Sequence, residues 1–377
     1  MIAAIVHALT LAFAMFWQIL WPLILGFLLS AIVQALVSKG DMARLLGEDS
    51  PRCIGLATLF GFASSSCSYA AVALARALFR KGADFTAAIA FEFASTNLVI
   101  ELGIIMAVLL GWYFTAAEFV GGLIMIAFLW WFFRLTLRRP LVAEARRQAE
   151  LGRVGRMEGH AAMDMSVAGG RSFLARLLSP EGRTAVSHYF VMDWAAVWVD
   201  IIGGLLIAGA IGAWVPDEFW RRFFLVSHPT AALIWGPLVG PLISMVSFVC
   251  SVGNVPLAAV LWNGGISFGG VIAFIFADLI ILPILDIYRK YYGARMACYL
   301  LGVSYLAMAA AGLIVELLFT AFGLVPSARR AVIPQAQIAL DYTTVLNVVF
   351  LAIAALLVLR FRRTGGPAML RMMGEPG

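Results

Sequence analysis

Cys67-Ser-Tyr-Ala-Ala-Val-Ala-Leu-Ala-Arg-Ala-Leu-Phe-Arg-Lys-Gly-Ala-Asp-Phe-Thr-Ala-Ala-Ile-Ala-Phe-Glu-Phe-Ala94 is matched 183 residues later by Cys250-Ser-Val-Gly-Asn-Val-Pro-Leu-Ala-Ala-Val-Leu-Trp-Asn-Gly-Gly-Ile-Ser-Phe-Gly-Gly-Val-Ile-Ala-Phe-Ile-Phe-Ala277. Thirteen of the 28 aligned positions are identical without a gap, among them Cys67/Cys250, Ser68/Ser251, Gly82/Gly265, Phe85/Phe268 and Phe93/Phe276. Shared apolar composition would give only a few matches, so the chain is read as two related halves. In membrane chains, paired repeats of this kind build transporters whose substrate site lies at the repeat interface, near the bilayer midplane.

Just upstream of each matched segment the apolar pattern is interrupted. The first interruption reads Gly61-Phe-Ala-Ser-Ser-Ser66-Cys67-Ser68, and the second runs from Pro241 through Cys250-Ser251-Val-Gly253-Asn254-Val-Pro256. Ser, Asn, Gly and Pro compete with helical hydrogen bonds or remove them. Unwound backbone at membrane depth survives only where protein or a water-filled cavity covers it, which makes each break a candidate site. A short helix is expected to begin near Tyr69 and another near Val255. Their free N–H groups and positive dipole ends would face the Cys-Ser pairs, favouring a thiolate or a bound anion.

The rest of the chain fits a membrane setting. Of 377 residues, 63% are apolar and 13% charged, with a mean hydropathy of +0.95. A soluble globule cannot hide that much apolar surface, because part of any globule faces water. The fold class expected is an all-α integral membrane protein with two internal repeats, inverted, each with a broken and re-entrant helix. Nine hydrophobic segments are counted, roughly 11–37, 53–79, 86–110, 112–133, 189–213, 223–262, 268–286, 296–323 and 341–361. Four divisions follow: membrane repeat 1 (1–135), a basic linker (136–187), membrane repeat 2 (188–323), and a final membrane helix with a basic tail (324–377). The linker carries nine Arg against five acids, and with Gly152, Gly155, Gly159, Gly169 and Gly170 it reads as a flexible cytoplasmic connector. The tail after Leu359 reads as disordered. Nine plain crossings would put Arg289, Lys290, Arg295 and the basic tail outside. If segments 53–79 and 223–262 each enter and leave on one side, all of these fall inside, and the two repeats become inverted.

Several polar residues stand out within the spans. Glu92, Asn97 and Glu101 lie in one segment, Asn97 and Glu101 four residues apart on one helical face. Asp278 lies in the matching segment, at the position equivalent to Ser95. Ionisable groups at this depth are costly and mark ion or proton pathways. Glu92 and Asp278 are the candidates for proton coupling; Asn97 and Glu101 are further possibilities, with a protonated structural carboxyl as the alternative for each acid. Cys67 and Cys250 suit a soft ion or metalloid, the alternative being close packing of small apolar thiols. Cys53 and Cys298 read as packing residues. Asp193 reads as a solvated helix end, and Asp286 as an interfacial partner of Arg289 and Lys290. Tryptophans near the span ends form an aromatic belt. The four histidines have no metal spacing, phosphate-binding loops are absent, and no cofactor is implied.

The strings Ser64-Ser-Ser-Cys67-Ser-Tyr-Ala-Ala, Phe91-Glu-Phe-Ala-Ser-Thr-Asn97-Leu-Val-Ile-Glu101-Leu-Gly and Val249-Cys250-Ser-Val-Gly-Asn254-Val-Pro256-Leu-Ala resemble the predicted-permease family of the ArsP/YraQ type. The resemblance covers roughly 20–135 and 195–320. It implies an exporter, because the best-understood members export trivalent organoarsenicals. The first break carries a single cysteine where the family often has a Cys-Ser-Cys or Cys-Ser-Gly pattern, so a multi-thiol site within one repeat is not implied.

The expectation is therefore a multi-pass permease of the cell (inner or plasma) membrane, an exporter of a small soft metalloid or related solute, proton-coupled and not an enzyme. Its partners would be the lipid bilayer and the substrate, and not nucleic acid. Cys67, Ser68, Ser66, Cys250, Ser251, Gly253 and Asn254 form the expected substrate site. A membrane-embedded thiol redox protein and a passive channel remain the alternatives.

Overall fold

A chain this apolar has to satisfy its backbone polar groups within itself, and in lipid the helix is the economical way to do so. The computed structural model describes residues 2–36, 45–64, 68–150, 165, 167, 173–247, 251–329, 331 and 342–374, and among these it holds helices and no strand. In chain order the helices are α1 (Ile2–Leu36), α2 (Pro51–Ser64), α3 (Ser68–Arg80), α4 (Phe85–Asn97), α5 (Ile100–Leu109), α6 (Trp112–Thr136), α7 (Arg139–Glu150), α8 (Phe173–Leu178), α9 (Pro180–Trp214), α10 (Asp217–Phe223), α11 (Pro229–Ser247), α12 (Ser251–Gly264), α13 (Phe268–Phe276), α14 (Leu282–Tyr292), α15 (Ala294–Ala321), α16 (Tyr342–Arg363) and α17 (Gly366–Gly374). A 3₁₀ turn, Ala277–Leu279, follows α13. Six helical stretches among the described residues are long and apolar enough to cross a membrane. A seventh is the pair 268–279 and 282–292, bent by 41°.

The local signals that start and stop these helices recur 183 residues apart. Gly82 and Gly265 both take positive φ, +107° and +115°, the left-handed region that a side chain resists. Two residues on, Asp84 and Ser267 each cap the next helix. Asp84 accepts from the amides of Thr86 and Ala87 at 2.8 and 3.3 Å, and Ser267 accepts from Gly270 N–H at 3.1 Å. An arginine spans each turn from outside. Arg146 donates to the carbonyls of Phe79 and Ala83, both at 3.2 Å, with its guanidinium 4.2 Å from the Phe79 ring centre. Arg329 donates to the carbonyls of Trp262 and Ile266 at 2.9 and 2.6 Å, and lies 4.4 Å from the Trp262 ring centre. Every partner of one arginine is 183 residues from the matching partner of the other.

Close approaches fix the direction of each helix. A side-chain carbon on Gly236 would strike Ser267, and one on Gly240 would stand 2.5 Å from the Gly270 carbonyl oxygen and 3.0 Å from Phe274 N. Residue numbers rise together, so α11 runs parallel to α13. Between them α12 runs the other way: Trp262 packs beside Phe268, while Ser251 meets Asp278 at the far end. In the first half, Asp84 N–H bonds Leu46 C=O at 2.7 Å, and Gly61 lies against Phe91 O and Ala94, so α2 runs parallel to α4. Aromatic clusters mark the two ends of the bundle. Phe79, Phe85, Phe133 and Tyr292 gather at one, and Phe114, Trp262, Phe268 and Phe319 at the other. Segment 85–109 therefore runs opposite to segment 268–292. The long helices α1 and α9 pack antiparallel at the side, with Gly209 against Ala8 and Gln34 bonded to Asp193.

Some expectations need correction. The head of the linker is not a flexible connector. Residues 139–150 form α7, with Ala145 and Ala149 buried and the Ala149 carbonyl accepting from the buried Arg76 at 2.8 and 3.2 Å. The five glycines that suggested flexibility lie outside the described residues. The tail is helical through 363 and again over 366–374. It is tied to α9 by Arg360, which donates to Pro180 C=O at 2.8 Å, and by Thr364 with His188 at 2.7 Å. Asp193 is buried and accepts from the Gln34 amide at 3.1 Å; it is not a solvated end. Cys298 is exposed on α15, whereas Cys53 is buried with its thiol near Leu45 C=O. Asp286 pairs with Arg289 and Lys290 at 2.6 and 2.8 Å, as read from the sequence.

Candidate functional site

The first side chains of α3 and α12 meet on one atom. Ser68 Oγ donates to Asp278 Oδ2 at 2.6 Å, and Ser251 Oγ donates to the same oxygen at 2.7 Å. These are the repeat-related serines, and sharing an acceptor holds their hydroxyls no further apart than the two distances combined. All three residues are buried, with Ser68 and Asp278 fully so. Both helices present amide N–H groups that have no partner within the helix. A carboxylate at two helix N-termini is favoured by the helix dipoles as well as by the hydroxyls.

Asp278 is brought there by a break in its own helix. α13 ends at Phe276, the 3₁₀ turn carries Asp278, and Ile281 turns extended (φ −62°, ψ 150°) before Pro283 opens α14. Proline is well placed in a first helical turn because it has no N–H to lose. The matching segment breaks at the same depth: α4 stops at Asn97, and Leu98 and Val99 leave helical geometry before α5 begins. Asn97 faces Asp278 from that break. The break also separates Asn97 from Glu101, so the single face predicted for them does not form. Glu101 instead packs its stem against Gly26 of α1.

Glu92, fully buried on α4, accepts a short hydrogen bond from the Tyr288 hydroxyl of α14, a contact between the two halves. Asp278 lies within electrostatic range of Glu92 and of Glu118 on α6. Around these acids several buried polar atoms have no hydrogen-bond partner among the described residues: Glu92 Oε2, Asn97 Oδ1, both oxygens of Glu118, Asp278 Oδ1 and the Tyr292 hydroxyl. Buried polar atoms are normally paired, and leaving one unpaired costs about 1–3 kcal/mol. Tyr292 belongs to the aromatic cluster at one end of the bundle, and the others gather near the two helix breaks, the pattern of a candidate site.

Ser68, Ser251, Asp278, Asn97 and Glu92 are thus gathered in one region. Ser66, Cys67 and Cys250 lie outside the described residues. Asn254 is buried, and its amide donates to Ser244 Oγ at 3.1 Å and accepts from Ser247 Oγ at 3.5 Å, joining α11 to α12. Gly253 is buried beside it on α12. Sequence reasoning missed Tyr288 and Glu118. A tyrosine in an aromatic-rich segment carries no signal of its own. Glu118 did carry one, as a lone acid inside the apolar run 112–133. Among the described residues no group of three or more His, Cys, Asp or Glu is placed to hold a metal ion.

Residues 4–317 match a protein family described as predicted permease, of the ArsP type. A Mycobacterium tuberculosis protein named "Putative permease Rv2963" is 63% identical over 338 residues, covering 90% of this chain and 83% of that protein. The Escherichia coli "UPF0718 protein YraQ" is 29% identical over 119 residues, 32% of this chain and 34% of that protein. No solved structure matches the chain.

Proposed function

The chain belongs to that predicted-permease family, and from this premise we propose that it is a secondary exporter of the cell membrane, moving a small soft metalloid or related solute in exchange for protons. The observation that carries the reading is the meeting of Ser68 and Ser251 on Asp278 Oδ2. Half-helices whose N-termini converge at mid-bilayer are how secondary transporters present backbone N–H groups to a substrate.

The inverted-repeat reading is supported by the opposed directions of 85–109 and 268–292 and by the matched turns, caps and arginine clamps. The re-entrant reading is supported by α12 doubling back between α11 and α13. The substrate site is proposed at the tips, lined by Ser68, Ser251 and Asn97. Cys67 and Cys250 directly precede the two serines and would supply soft sulfur ligands to a thiol-seeking substrate. Ser66 and Gly253 belong to the same tips, whereas Asn254 acts as a clasp and Glu101 as a packed support.

Asp278 and Glu92 are the coupling acids. Protonation of Asp278 removes the negative charge that draws both hydroxyls to one oxygen, which loosens the tips from each other. Protonation of Glu92 weakens its bond to Tyr288 and so the tie between α4 and α14. Loading protons from one side and releasing them to the other would alternate the exposure of the site. In this reading the linker, residues 39–52 and the tail 360–377 face the cytoplasm. The test is flux of methylarsenite in liposomes holding purified protein, with and without an imposed pH gradient. Gradient-driven accumulation supports an exporter. Equilibration that ignores the gradient points to a channel, and no flux with thiol turnover points to a redox protein.

A further inference from the structure

Glu118 is the buried acid that the sites above do not use. It is fully buried on α6, and neither of its carboxyl oxygens has a hydrogen-bond partner among the described residues. Other buried acids are served differently: Glu92 by Tyr288, Asp278 by two serines, Glu316 by the Gly269 amide and Asp193 by Gln34. A negative charge left unpaired at such a place is too costly to persist, so the group must be neutral here and gain something elsewhere in the cycle.

Its neighbours say where. One turn along the same face, a side-chain carbon on Gly121 would stand 2.8 Å from Val315 and 3.0 Å from the Phe276 ring, and one on Gly122 would stand 2.5 Å from Leu98. Leu98 is the break after Asn97, and Phe276 is two residues before Asp278. Glu118 therefore lies one helical turn from the level of both breaks, inside the bundle. The helices against α6 bring few titratable groups to it. From α4, Glu92 is held by Tyr288; from α5, Glu101 lies against Gly26. On α15, Glu316 bonds Gly269, Tyr299 bonds Thr136, Tyr305 bonds Leu238 C=O, Arg295 pairs with Glu144, and Cys298 is exposed. Among the described residues the group left is Asp278, on the turn just beyond Phe276, close enough to act on Glu118 through its charge.

We infer that Glu118 is a proton-carrying residue of the translocation site, alternating with Asp278 in bearing a negative charge. This rests on the permease reading and deepens it. In the step, the O–H bond of the Glu118 carboxyl breaks and its electron pair stays on Glu118. The proton passes to Asp278 Oδ1, the oxygen that the serines leave free, where a new O–H bond forms. Nothing is oxidised or reduced. The charge moves from the serine-bound acid to the outer one, so the serines lose the ion that held them. A negative charge on one buried acid disfavours a second on the other, which makes the exchange one-for-one.

The test has two arms. Infrared difference spectra of the full-length protein in liposomes, taken across pH, read the C=O stretch of protonated carboxyls without any substrate. The wild type is expected to show a weakly hydrogen-bonded carboxylic acid at neutral pH that Glu118→Gln abolishes and Glu118→Asp restores. Its titration should move to lower pH by about one unit in Asp278→Asn, where the like charge is gone. The second arm measures protons moved per methylarsenite. Glu118→Gln should lower pH-driven flux by about tenfold and lower the number of protons moved per methylarsenite, as expected for an acid that carries protons. A band that persists in Glu118→Gln, or unchanged coupling in that variant, overturns the inference. If the wild type carries no methylarsenite, the substrate assignment fails, and the infrared arm still decides Glu118.

Discussion

Removing the hydroxyl of Ser68 or Ser251 should cost stability in a way that depends on the charge of Asp278. Each serine gives that carboxylate one hydrogen bond, at 2.6 and 2.7 Å, with all three groups buried. A hydrogen bond to a charged group contributes about 1.5–3 kcal/mol, and one between neutral groups about 0.5–1.5 kcal/mol. Ser68→Ala and Ser251→Ala should therefore each cost about 1.5–3 kcal/mol in the native background. In Asp278→Asn each should cost roughly half that, because the shared acceptor is then a neutral amide oxygen. The double alanine variant should cost more than the sum of the singles, since it leaves a buried carboxylate with neither donor. Reversible unfolding of the purified protein in mixed micelles gives the four corners of each cycle. Equal serine costs in the native and Asp278→Asn backgrounds, or strict additivity of the two serines, would refute the shared-acceptor geometry.

Other expectations follow from single contacts. Tyr288→Phe removes the donor to Glu92 and should destabilise the protein by about 1–3 kcal/mol, read in the same unfolding assay; no loss would mean that the contact is absent in the membrane. Arg329→Lys and Arg146→Lys should each lose most of what the alanine variants lose, because an ammonium cannot bridge two carbonyls and stack on the ring as the planar guanidinium does; full retention by lysine would leave only a charge effect. Gly240→Ala should cost about 1–3 kcal/mol or more, because its new carbon would lie 2.5 Å from a backbone oxygen and backbone cannot step aside. A membrane-soluble maleimide should label Cys298 and spare the buried Cys53, a pattern that mass spectrometry of tryptic peptides reads directly.

How far the sequence reached depends on what kind of signal each feature leaves. The membrane class was legible because an apolar excess of this size has no soluble home. The internal similarity was legible because a fixed shift of 183 preserved small and aromatic residues; the same shift relates the unlike caps Asp84 and Ser267 within the aligned stretch and, beyond it, Arg146 and Arg329. The caps differ in residue type, and the arginines stand far from the aligned stretch, one on a helix and one in a loop, so only their shared geometry makes the relation visible. Asp278 was legible as an acid at depth, yet its partners were not. Ser68 is 210 residues away, and no pattern along the chain announces a contact at that separation. Polar composition misled at 139–150 and in the tail, where Arg146 and Arg360 bond backbone carbonyls while Arg147, Arg362 and Arg363 stay exposed. Asn254 leaves a further limit: its place at a break was legible, and its bonds to Ser244 and Ser247 were not.

The most direct test of a single site shared by both tips uses the native cysteines beside the two serines. With Cys53 and Cys298 replaced by serine, a short bifunctional thiol reagent is added to the protein in liposomes, and the linker is then cut by protease within residues 151–164. The account predicts that Cys67 and Cys250 become cross-linked, so that the two halves stay joined after cleavage. Flux should stop with the cross-link, and prior methylarsenite should protect against it. Halves that separate, each carrying its own reagent adduct while flux continues, would contradict a site formed where the two broken helices meet.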